Sequence, residues 1–328
     1  MIKPATKKAP WLVADVGGTN ARFALVTSPK GTPEETFVYP VADFPNLADA
    51  AQKYIEEHAK GAKPSAACVA VAGPVVGDRF KLTNSHWDFS VEETKKALGL
   101  DAMFLVNDFT ALARSLPRLK PADLKQIGGG KSEEGQAMAV VGAGTGLGVG
   151  GLLPVGGRWI PIPGEGGHVD LSPVTGREMR LASALIADQG AVTGECILSG
   201  GGLERVYRLL TSFDGASKTL SAAEITEAGL GKGDPHARET LNVFCAILGG
   251  LAGNVAVTLG ARGGVYIGGG IAPRIADFLS RSQFRPRFEN KYRMVDYAKR
   301  IPTFLILAAT PALDGAAAWL DDQLEFTA

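Results

Sequence analysis

Carboxylates, hydroxyls and glycines stand close together at several points of this 328-residue chain. The segment DVGGTNAR at 15–22 places Asp15 at the end of an apolar run, followed by a glycine pair and Thr19. Backbone N–H groups that no side chain covers can bind phosphate oxygens, and a nearby carboxylate can hold a magnesium ion directly or through water. An ordinary β-turn fits the same residues equally well, so this segment alone leaves phosphate binding open.

Two further glycine-rich segments follow apolar runs. GAGTGLGVG at 142–150 repeats the pattern, with Gly144, Thr145 and Gly146 as a second candidate for binding phosphates. GGVYIGGGI at 263–271 ends an apolar run in three glycines. Such a run lets the backbone approach a flat adenine or a ribose closely, and it fits a tight strand-to-helix turn equally well.

Two common nucleotide motifs were tested against these glycines. Gly130, Lys131 and Ser132 resemble the end of a P-loop, but the position that needs the first glycine is Lys125. The spacing of Gly146, Gly148 and Gly151 matches G-x-G-x-x-G, but the residues that follow, LLPVGGRW, predict a strand and a turn. A dinucleotide site needs a helix there, so both interpretations are disfavoured.

Asn107 and Asp108 follow the apolar run MFLV. In open α/β sheets ligands bind beyond the carboxyl ends of the strands, where a carboxylate can accept the proton of an attacking hydroxyl. The alternative is that Asp108 caps a helix that begins near Thr110, and position alone favours this alternative.

A polar loop is predicted from PGEGGHVD at 163–170, which carries Glu165 and His168 among glycines. Glu195 stands before ILSGGG and can join them. Carboxylates and imidazole form hydrogen bonds in fixed directions, so this set suits the recognition of hydroxyl groups. A single histidine in a loop is more often structural.

Strands and helices alternate along the chain, which predicts an α/β protein. We expect the main strands at 11–16, 22–26, 66–72, 103–106, 137–141, 152–155, 265–267 and 302–308. We expect helices at 43–59, with Asp43 as a possible cap, and at 91–98, 182–187, 203–210, 237–259 and 314–324. The strand–turn–strand pattern of 11–26 recurs at 137–155, which suggests two related halves facing a cleft.

Composition excludes several classes of protein. Lys plus Arg and Asp plus Glu number 34 each, so the basic surplus of a nucleic-acid-binding protein is missing. Three scattered cysteines without a Cys-x-x-Cys pair disfavour disulfides and structural zinc and fit a reducing cytoplasm. The start of the chain lacks the apolar segment of a signal peptide. The apolar stretch 243–259 is interrupted by glycines and is too short to span a membrane.

Six motifs in order, DVGGTNAR, LTNSHWDFS, VNDFTA, VGAGTGLGVG, PGEGGHVD and GGVYIGGGI, resemble the bacterial glucokinase family over about residues 12–320. That family belongs to the actin-like, hexokinase-type ATPase superfamily. The resemblance implies magnesium-dependent transfer of the γ-phosphate of ATP to D-glucose in glycolysis, by a cytoplasmic homodimer without nucleic-acid or membrane partners. It also implies two actin-like (ribonuclease H-like) α/β domains flanking a central cleft, with a small domain at 1–118 plus 309–328 and a large domain at 119–308.

The resemblance also assigns roles to residues, with Asp108 as the base and Asp15 at the magnesium ion. For sugar binding it implies Asn84, Asn107, Asp108, Glu165, His168 and Glu195. For nucleotide binding it implies Ala14, Asp15, Val16, Gly17, Gly18, Thr19, Gly144, Thr145, Gly146, Gly269 and Gly270.

Other functions remain as alternatives at this stage. A nucleotide-binding regulator or chaperone-like ATPase of the same superfamily would use the glycine turns but not Glu165 and His168. A sugar sensor would bind glucose without turning over ATP. A sister group of sugar kinases and repressors has a cysteine-rich zinc motif that residues 169–177 lack. Because the first strand is expected to begin at Trp11, we also expect this chain not to carry the DNA-binding segment of those repressors. The hexose epimer and a polyphosphate donor stay open.

Overall fold

A computed structural model describes residues 2–82, 84–231 and 233–326. Its strands are β1 (Trp11–Val16), β2 (Asn20–Val26), β3 (Glu34–Pro40), β4 (Ala66–Val71), β5 (Arg79–Lys81), β6 (Asp88–Ser90), β7 (Ala102–Asn107), β8 (Leu124–Gln126), β9 (Met138–Ala143), β10 (Leu147–Val155), β11 (Arg158–Ile162), β12 (Gly264–Gly268) and β13 (Thr303–Ile306). Its α-helices are α1 (Leu47–His58), α2 (Val91–Ala97), α3 (Asp108–Ser115), α4 (Gly176–Gln189), α5 (Gly200–Phe213), α6 (Ala222–Leu230), α7 (Pro235–Leu259), α8 (Ala276–Arg281), α9 (Phe284–Glu289), α10 (Val295–Arg300) and α11 (Pro311–Phe326).

The chain forms two units with separate internal contacts. Unit 1 comprises residues 1–119 and 308–328, and unit 2 comprises residues 120–307. The chain therefore leaves unit 1 after α3 and returns to it for α11, its last helix.

Unit 1 is built on a five-stranded sheet in the order β3-β2-β1-β4-β7. The pairs β1–β2 and β2–β3 are antiparallel, whereas β1–β4 and β4–β7 are parallel. Side chains of β1 alternate between two apolar clusters, because successive residues of a strand point to opposite faces. Leu12 and Ala14 pack with residues of α1, while Trp11 and Val13 pack with residues of α3 and α11.

Unit 2 repeats this order with different strands. Its sheet runs β11-β10-β9-β12-β13, with β8 added at the far edge. The pairs β9–β10 and β10–β11 are antiparallel, and the pairs β9–β12 and β12–β13 are parallel, as for the matching strands of unit 1. The recurrence of the strand–turn–strand pattern in the sequence thus reflects a recurrence of the whole five-strand topology.

The long helix α7 is the centre of the unit 2 core. It packs against α5, α6 and α9, and buries apolar residues such as Phe244 and Leu248. Its 25 residues include an 18-residue window with a mean hydropathy of 1.7, which is long and apolar enough to cross a membrane by length and composition alone, so the expectation that this stretch is too short to do so was wrong. Because 72% of that apolar window is buried within the protein, it is explained by packing in the core.

Two sequence predictions about helix starts were wrong. Asp43 does not cap α1, because residues 41–43 form a separate 3₁₀ turn and the side chain of Asn46 accepts the N–H of Asp49 instead. The helix after Asp108 does not begin near Thr110, because Asp108 is itself the first helical residue. In both places an Asn, and not the predicted Asp, caps the helix through its side-chain carbonyl.

Candidate active site

In unit 1 the carboxyl ends of three parallel strands lie side by side. Val16 pairs with Val71 in the β1–β4 ladder, and Val71 pairs with Asn107 in the β4–β7 ladder. Neighbouring strands are about 4.8 Å apart, so Val16 and Asn107 are separated by about 10 Å along this row. The turn that follows Val16 and the helix that follows Asn107 therefore leave the sheet at the same edge.

The first glycine turn, Gly17–Thr19, joins β1 to β2 and is closed by a hydrogen bond from the N–H of Gly17 to the carbonyl of Asn20, 3.0 Å long. A Cβ added to Gly17 would lie 3.9 Å from its nearest neighbour, so the fold does not require glycine there. A Cβ on Gly18 would lie 2.9 Å from both the Cβ and the carbonyl oxygen of Asn84, which therefore packs on this turn. The space beside Gly17 is what a phosphate approaching the backbone would need.

Asp15 faces Arg22 across the β1–β2 ladder, with 3.2 Å between the Asp15 Oδ2 and an Arg22 Nη atom. The Asp15 side chain is 22% exposed. Burial raises the pKa of this carboxyl, and the Arg22 guanidinium acts in the opposite direction. Asp15 follows Trp11 and Val13 at intervals of two residues along β1, so it lies on the same face of the sheet, which α3 and α11 cover.

Asn107 fixes the start of α3. Its Oδ1 accepts hydrogen bonds from the N–H groups of Phe109 at 2.9 Å and Thr110 at 3.2 Å, and its Nδ2 donates to the carbonyl of Gly73 at 3.1 Å. Asn107 is therefore the cap, which leaves Asp108 in the first turn of the helix with a partly exposed side chain. The positive end of the helix dipole favours an ionised carboxylate at that position.

The second glycine turn, Gly144–Gly146, joins β9 to β10 in unit 2 and lies beside the end of β12. Ile271 donates its N–H to the carbonyl of Ala143 at 3.2 Å. Gly269 has a φ of +81°, and a Cβ on it would lie 2.3 Å from the same carbonyl, so only glycine fits there. Gly144 has more space, because an added Cβ would be 3.8 Å from the N atom of Gly270.

The loop Glu165–His168, which we call the sugar loop after the role that the resemblance implies, packs on the first residues of β10. Glu165 forms a backbone bridge with Val149, and residues 166–168 form a 3₁₀ turn. A Cβ on Gly167 would lie 1.9 Å from the carbonyl oxygen of Leu147, so the loop is in direct contact with the strand. The side chains of Glu165 and His168 are exposed and available to a ligand.

Glu195 lies between the sugar loop and the second glycine turn. Its Oε2 accepts the N–H of Leu147 at 2.8 Å, and a Cβ on Gly146 would lie 2.6 Å from the same oxygen. The preceding residue, Gly194, donates its N–H to the carbonyl of Val169 at 3.1 Å. The four sets of residues that the sequence suggested for unit 2 are thus brought together at one end of its sheet.

Two of the predicted nucleotide contacts have no available side chain. Ala14 and Val16 are fully buried in the core of unit 1, so only their backbone atoms could contact a nucleotide. Thr19 and Thr145 are exposed, each within its glycine turn. Within residues 2–82, 84–231 and 233–326, no three His, Cys, Asp or Glu side chains are grouped to hold a metal ion. A magnesium ion at Asp15 would therefore rely on water and phosphate oxygens for its other ligands, which is common for this ion.

Several residues that shape these sites do not stand out in the sequence motifs. Arg22 could have been found from its place two residues into β2, opposite Asp15. Gly73, Leu147 and Gly200 act through backbone groups, and nothing in their residue types indicates those contacts.

Known proteins resemble this chain over nearly its whole length. The family model described as Glucokinase matches residues 12–323. A glucokinase of Chromobacterium violaceum is 48% identical over 96% of this chain and 90% of its own length. The crystal structure of a glucokinase from an Antarctic psychrotroph, 38% identical, covers 95% of this chain and 99% of its own with a TM-score of 0.87.

A third relative is longer. The bifunctional protein glk of Burkholderia pseudomallei is 46% identical over 96% of this chain, which spans 49% of that protein. The matching glucokinase structures have the actin-like ATPase fold, and the duplicated five-strand topology is in accord with that fold. Identity at this level over nearly the whole chain settles the family: the chain belongs to the glucokinase family.

Proposed function

We propose that this chain is an ATP-dependent glucokinase that transfers the γ-phosphoryl group of ATP to the 6-hydroxyl of D-glucose. The observation that carries the proposal is the row Val16–Val71–Asn107, from which the first glycine turn and Asp108 both extend. A phosphate-binding turn about 10 Å from a carboxylate leaves room for a hydroxyl between a phosphoryl group and a base. Membership of the glucokinase family supports the same substrates.

In this mechanism Asp108 accepts the proton of the sugar 6-hydroxyl as that oxygen attacks the γ-phosphorus. Asn107 holds Asp108 in place by capping α3 and by donating to Gly73. The exposed side chains of Asn84, Glu165 and His168, together with Glu195, bind sugar hydroxyls, and a site that pairs each hydroxyl discriminates against epimers. This explains how one sugar can be selected over others.

The two glycine turns bind the phosphates through backbone N–H groups, aided by the hydroxyls of Thr19 and Thr145. Gly17 and Gly144 leave space that the fold does not use, and Gly269 and Gly270 extend the second turn toward the nucleoside. Asp15 holds a magnesium ion, which when bound neutralises charge on the phosphate oxygens. The Arg22 guanidinium partly neutralises the negative charge of Asp15, so this half-buried carboxylate is not an isolated charge.

We further propose a cytoplasmic homodimer. A reducing compartment fits three free cysteines, two of them buried, and burial raises the pKa of the Cys245 thiol to about 12. Apolar side chains that are exposed on or beside α4 and just before α10 are available to such an interface, namely Val174, Met179, Ile186, Tyr292 and Met294. Light scattering of the purified chain tests this: a mass of one chain at micromolar concentration would contradict the dimer.

Replacement of Asp108 by Asn is the main test of the mechanism. The variant keeps the shape and the helix start but cannot accept a proton, so kcat should fall by about 10²–10⁴-fold while glucose binding is retained. The product of the wild-type protein should show by phosphorus NMR a phosphate coupled to the two protons at C6. A near-normal kcat in Asp108→Asn would overturn the assignment of the base, and a product phosphorylated elsewhere would overturn the proposed acceptor.

A further inference from the structure

The bridging segment, residues 193–200, touches both ends of the second glycine turn. At one end Glu195 Oε2 accepts the N–H of Leu147, the residue after the turn, at 2.8 Å. At the other end Gly200 donates its N–H to the carbonyl of Gly144, the first residue of the turn, at 2.9 Å. The turn is therefore held by hydrogen bonds that come from a single neighbouring segment.

The same segment is also joined to the sugar loop and to the residues that follow it. Thr193 forms a backbone bridge with Asp170, and Gly194 donates to Val169 at 3.1 Å. A Cβ on Gly194 would lie 3.3 Å from the carbonyl oxygen of Gly167 and 3.0 Å from Leu147 Cδ2. The segment thus lies in contact with both groups of residues, with little free space on either side.

Within the part of the chain that the structure describes, Glu195 is the one residue of this segment whose side chain forms a hydrogen bond at the turn. Its half-buried carboxylate contacts the turn through Oε2. The backbone carbonyl of Glu195 accepts a hydrogen bond of 2.9 Å from the hydroxyl of Ser199, the residue before α5. A movement of the carboxylate toward a sugar hydroxyl would change the hydrogen bond that it accepts from Leu147.

We infer that Glu195 is a positioning residue for the second glycine turn, so that nucleotide binding and sugar binding are energetically coupled inside unit 2. The inference rests on the proposed function, because it assumes that the turn binds phosphates and that Glu195 binds the sugar. Coupling of this kind is reciprocal: bound glucose changes the affinity for ATP by the same factor by which bound ATP changes the affinity for glucose.

The first test measures ATP binding by calorimetry with magnesium and without any sugar. Glu195→Ala should weaken ATP binding about 10-fold, the effect of losing one charge-assisted hydrogen bond that holds the turn. Glu195→Gln should bind ATP nearly as the wild-type protein does, because its amide oxygen can still accept the Leu147 N–H. His168→Ala, a change in the sugar loop away from the turn, should leave ATP binding unchanged. Wild-type ATP affinity in Glu195→Ala would overturn the inference.

The reciprocal test measures glucose binding without nucleotide. Gly146→Ala places a methyl group 2.6 Å from the Glu195 carboxylate oxygen and should displace it, weakening glucose binding several-fold. Gly144→Ala is the matched control, since its methyl group finds 3.8 Å of space, and should bind glucose normally. In a Glu195→Ala background the added Gly146→Ala change should have no further effect, because the oxygen that it meets is gone. Additive losses would contradict the coupling.

These outcomes separate the inference from the proposed function. If the wild-type protein phosphorylates glucose and Glu195→Ala binds ATP normally, only the positioning role fails. If the wild-type protein phosphorylates no hexose but Glu195→Ala still loses ATP affinity, the proposed function fails and the positioning role remains. Should Glu195→Ala not fold, as judged by thermal unfolding, Gly146→Ala and Glu195→Gln still decide the question.

Discussion

The hairpins β1–β2 and β9–β10 have the same place in their sheets but carry different groups at equivalent positions. One row of unit 1 places Arg22, Asp15 and Ala70 side by side on three neighbouring strands. The matching row of unit 2 consists of Gly148, Gly142 and Gly268. Unit 1 therefore has the ion pair between Asp15 and Arg22 where unit 2 has only glycines, which carry no side chains.

The repeated topology thus determines where the turns lie, but not which chemical groups lie beside them. In unit 1 the hairpin is accompanied by two acids, Asp15 and Asp108, which suit a metal ion and proton transfer. In unit 2 the hairpin instead supports a separate loop with Glu165 and His168 and the carboxylate of Glu195. The assignment of roles in the proposed mechanism follows this division.

The largest effect is expected from Gly167→Ala, which tests whether the second hairpin supports the sugar loop. The added methyl group would lie 1.9 Å from the carbonyl oxygen of Leu147, so the backbone must move. We expect a loss of about 3 kcal/mol in the free energy of unfolding, measured by denaturant titration, together with loss of sugar binding. Gly164→Ala is the control, because its methyl group meets no described atom within 4 Å. Equal stability of the two variants would contradict the contact.

A smaller effect is expected from Gly17→Ala and Gly144→Ala, which test whether both hairpins bind phosphate. Both methyl groups fit the folded protein, with nearest atoms at 3.9 Å and 3.8 Å, so the free energy of unfolding should change by less than about 0.5 kcal/mol. Each methyl group occupies space needed by phosphate oxygens, so ATP binding should weaken about 10-fold, or about 1.4 kcal/mol. If calorimetry finds wild-type ATP affinity in one variant, that turn does not contact the nucleotide.

The smallest effect is expected from Arg22→Leu, which makes the first hairpin resemble the second by removing its charge pair. Asp15 would lose its partner while remaining 22% exposed, and we expect about 1 kcal/mol less stability at neutral pH. Arg22→Lys keeps the positive charge and should lose less than half of that amount. The pair contributes nothing to stability if both variants unfold at the wild-type denaturant concentration.

Much of the fold could be predicted from the sequence where local pattern and burial agree. The strands β1, β4 and β12 are buried apolar runs, β7 is a partly buried one, and glycine or polar residues lie at or near the end of each. Together with the long helix α7 they were predicted near their observed limits. The edge strands β3 and β11 were missed, because β3 is mostly exposed and β11 has no fully buried residue, so neither shows a clear apolar pattern. The helices α8–α10 were missed because each is too short for a helical repeat of apolar residues to show in the sequence.

The candidate site was predictable only in its residue types. Motif order identified Asp15, Asp108, Glu165 and His168, and the structure gives their surroundings. The bond between Glu195 and the N–H of Leu147 joins residues 48 positions apart in the chain, so it depends on tertiary packing that no local pattern reveals. The cap at Asn107 was misplaced for a different reason, since Asn and Asp stand side by side and both are good caps.

The most direct test of the proposed function is the release of ADP from ATP by the purified chain, with magnesium, in the absence and presence of each of a panel of hexoses. We predict slow release without sugar and release faster by several orders of magnitude with glucose, with weaker stimulation by its epimers. ADP release that is equally fast with and without every hexose would contradict a sugar kinase and favour a nucleotide-binding regulator. Tight glucose binding without any ADP release would favour a sugar sensor.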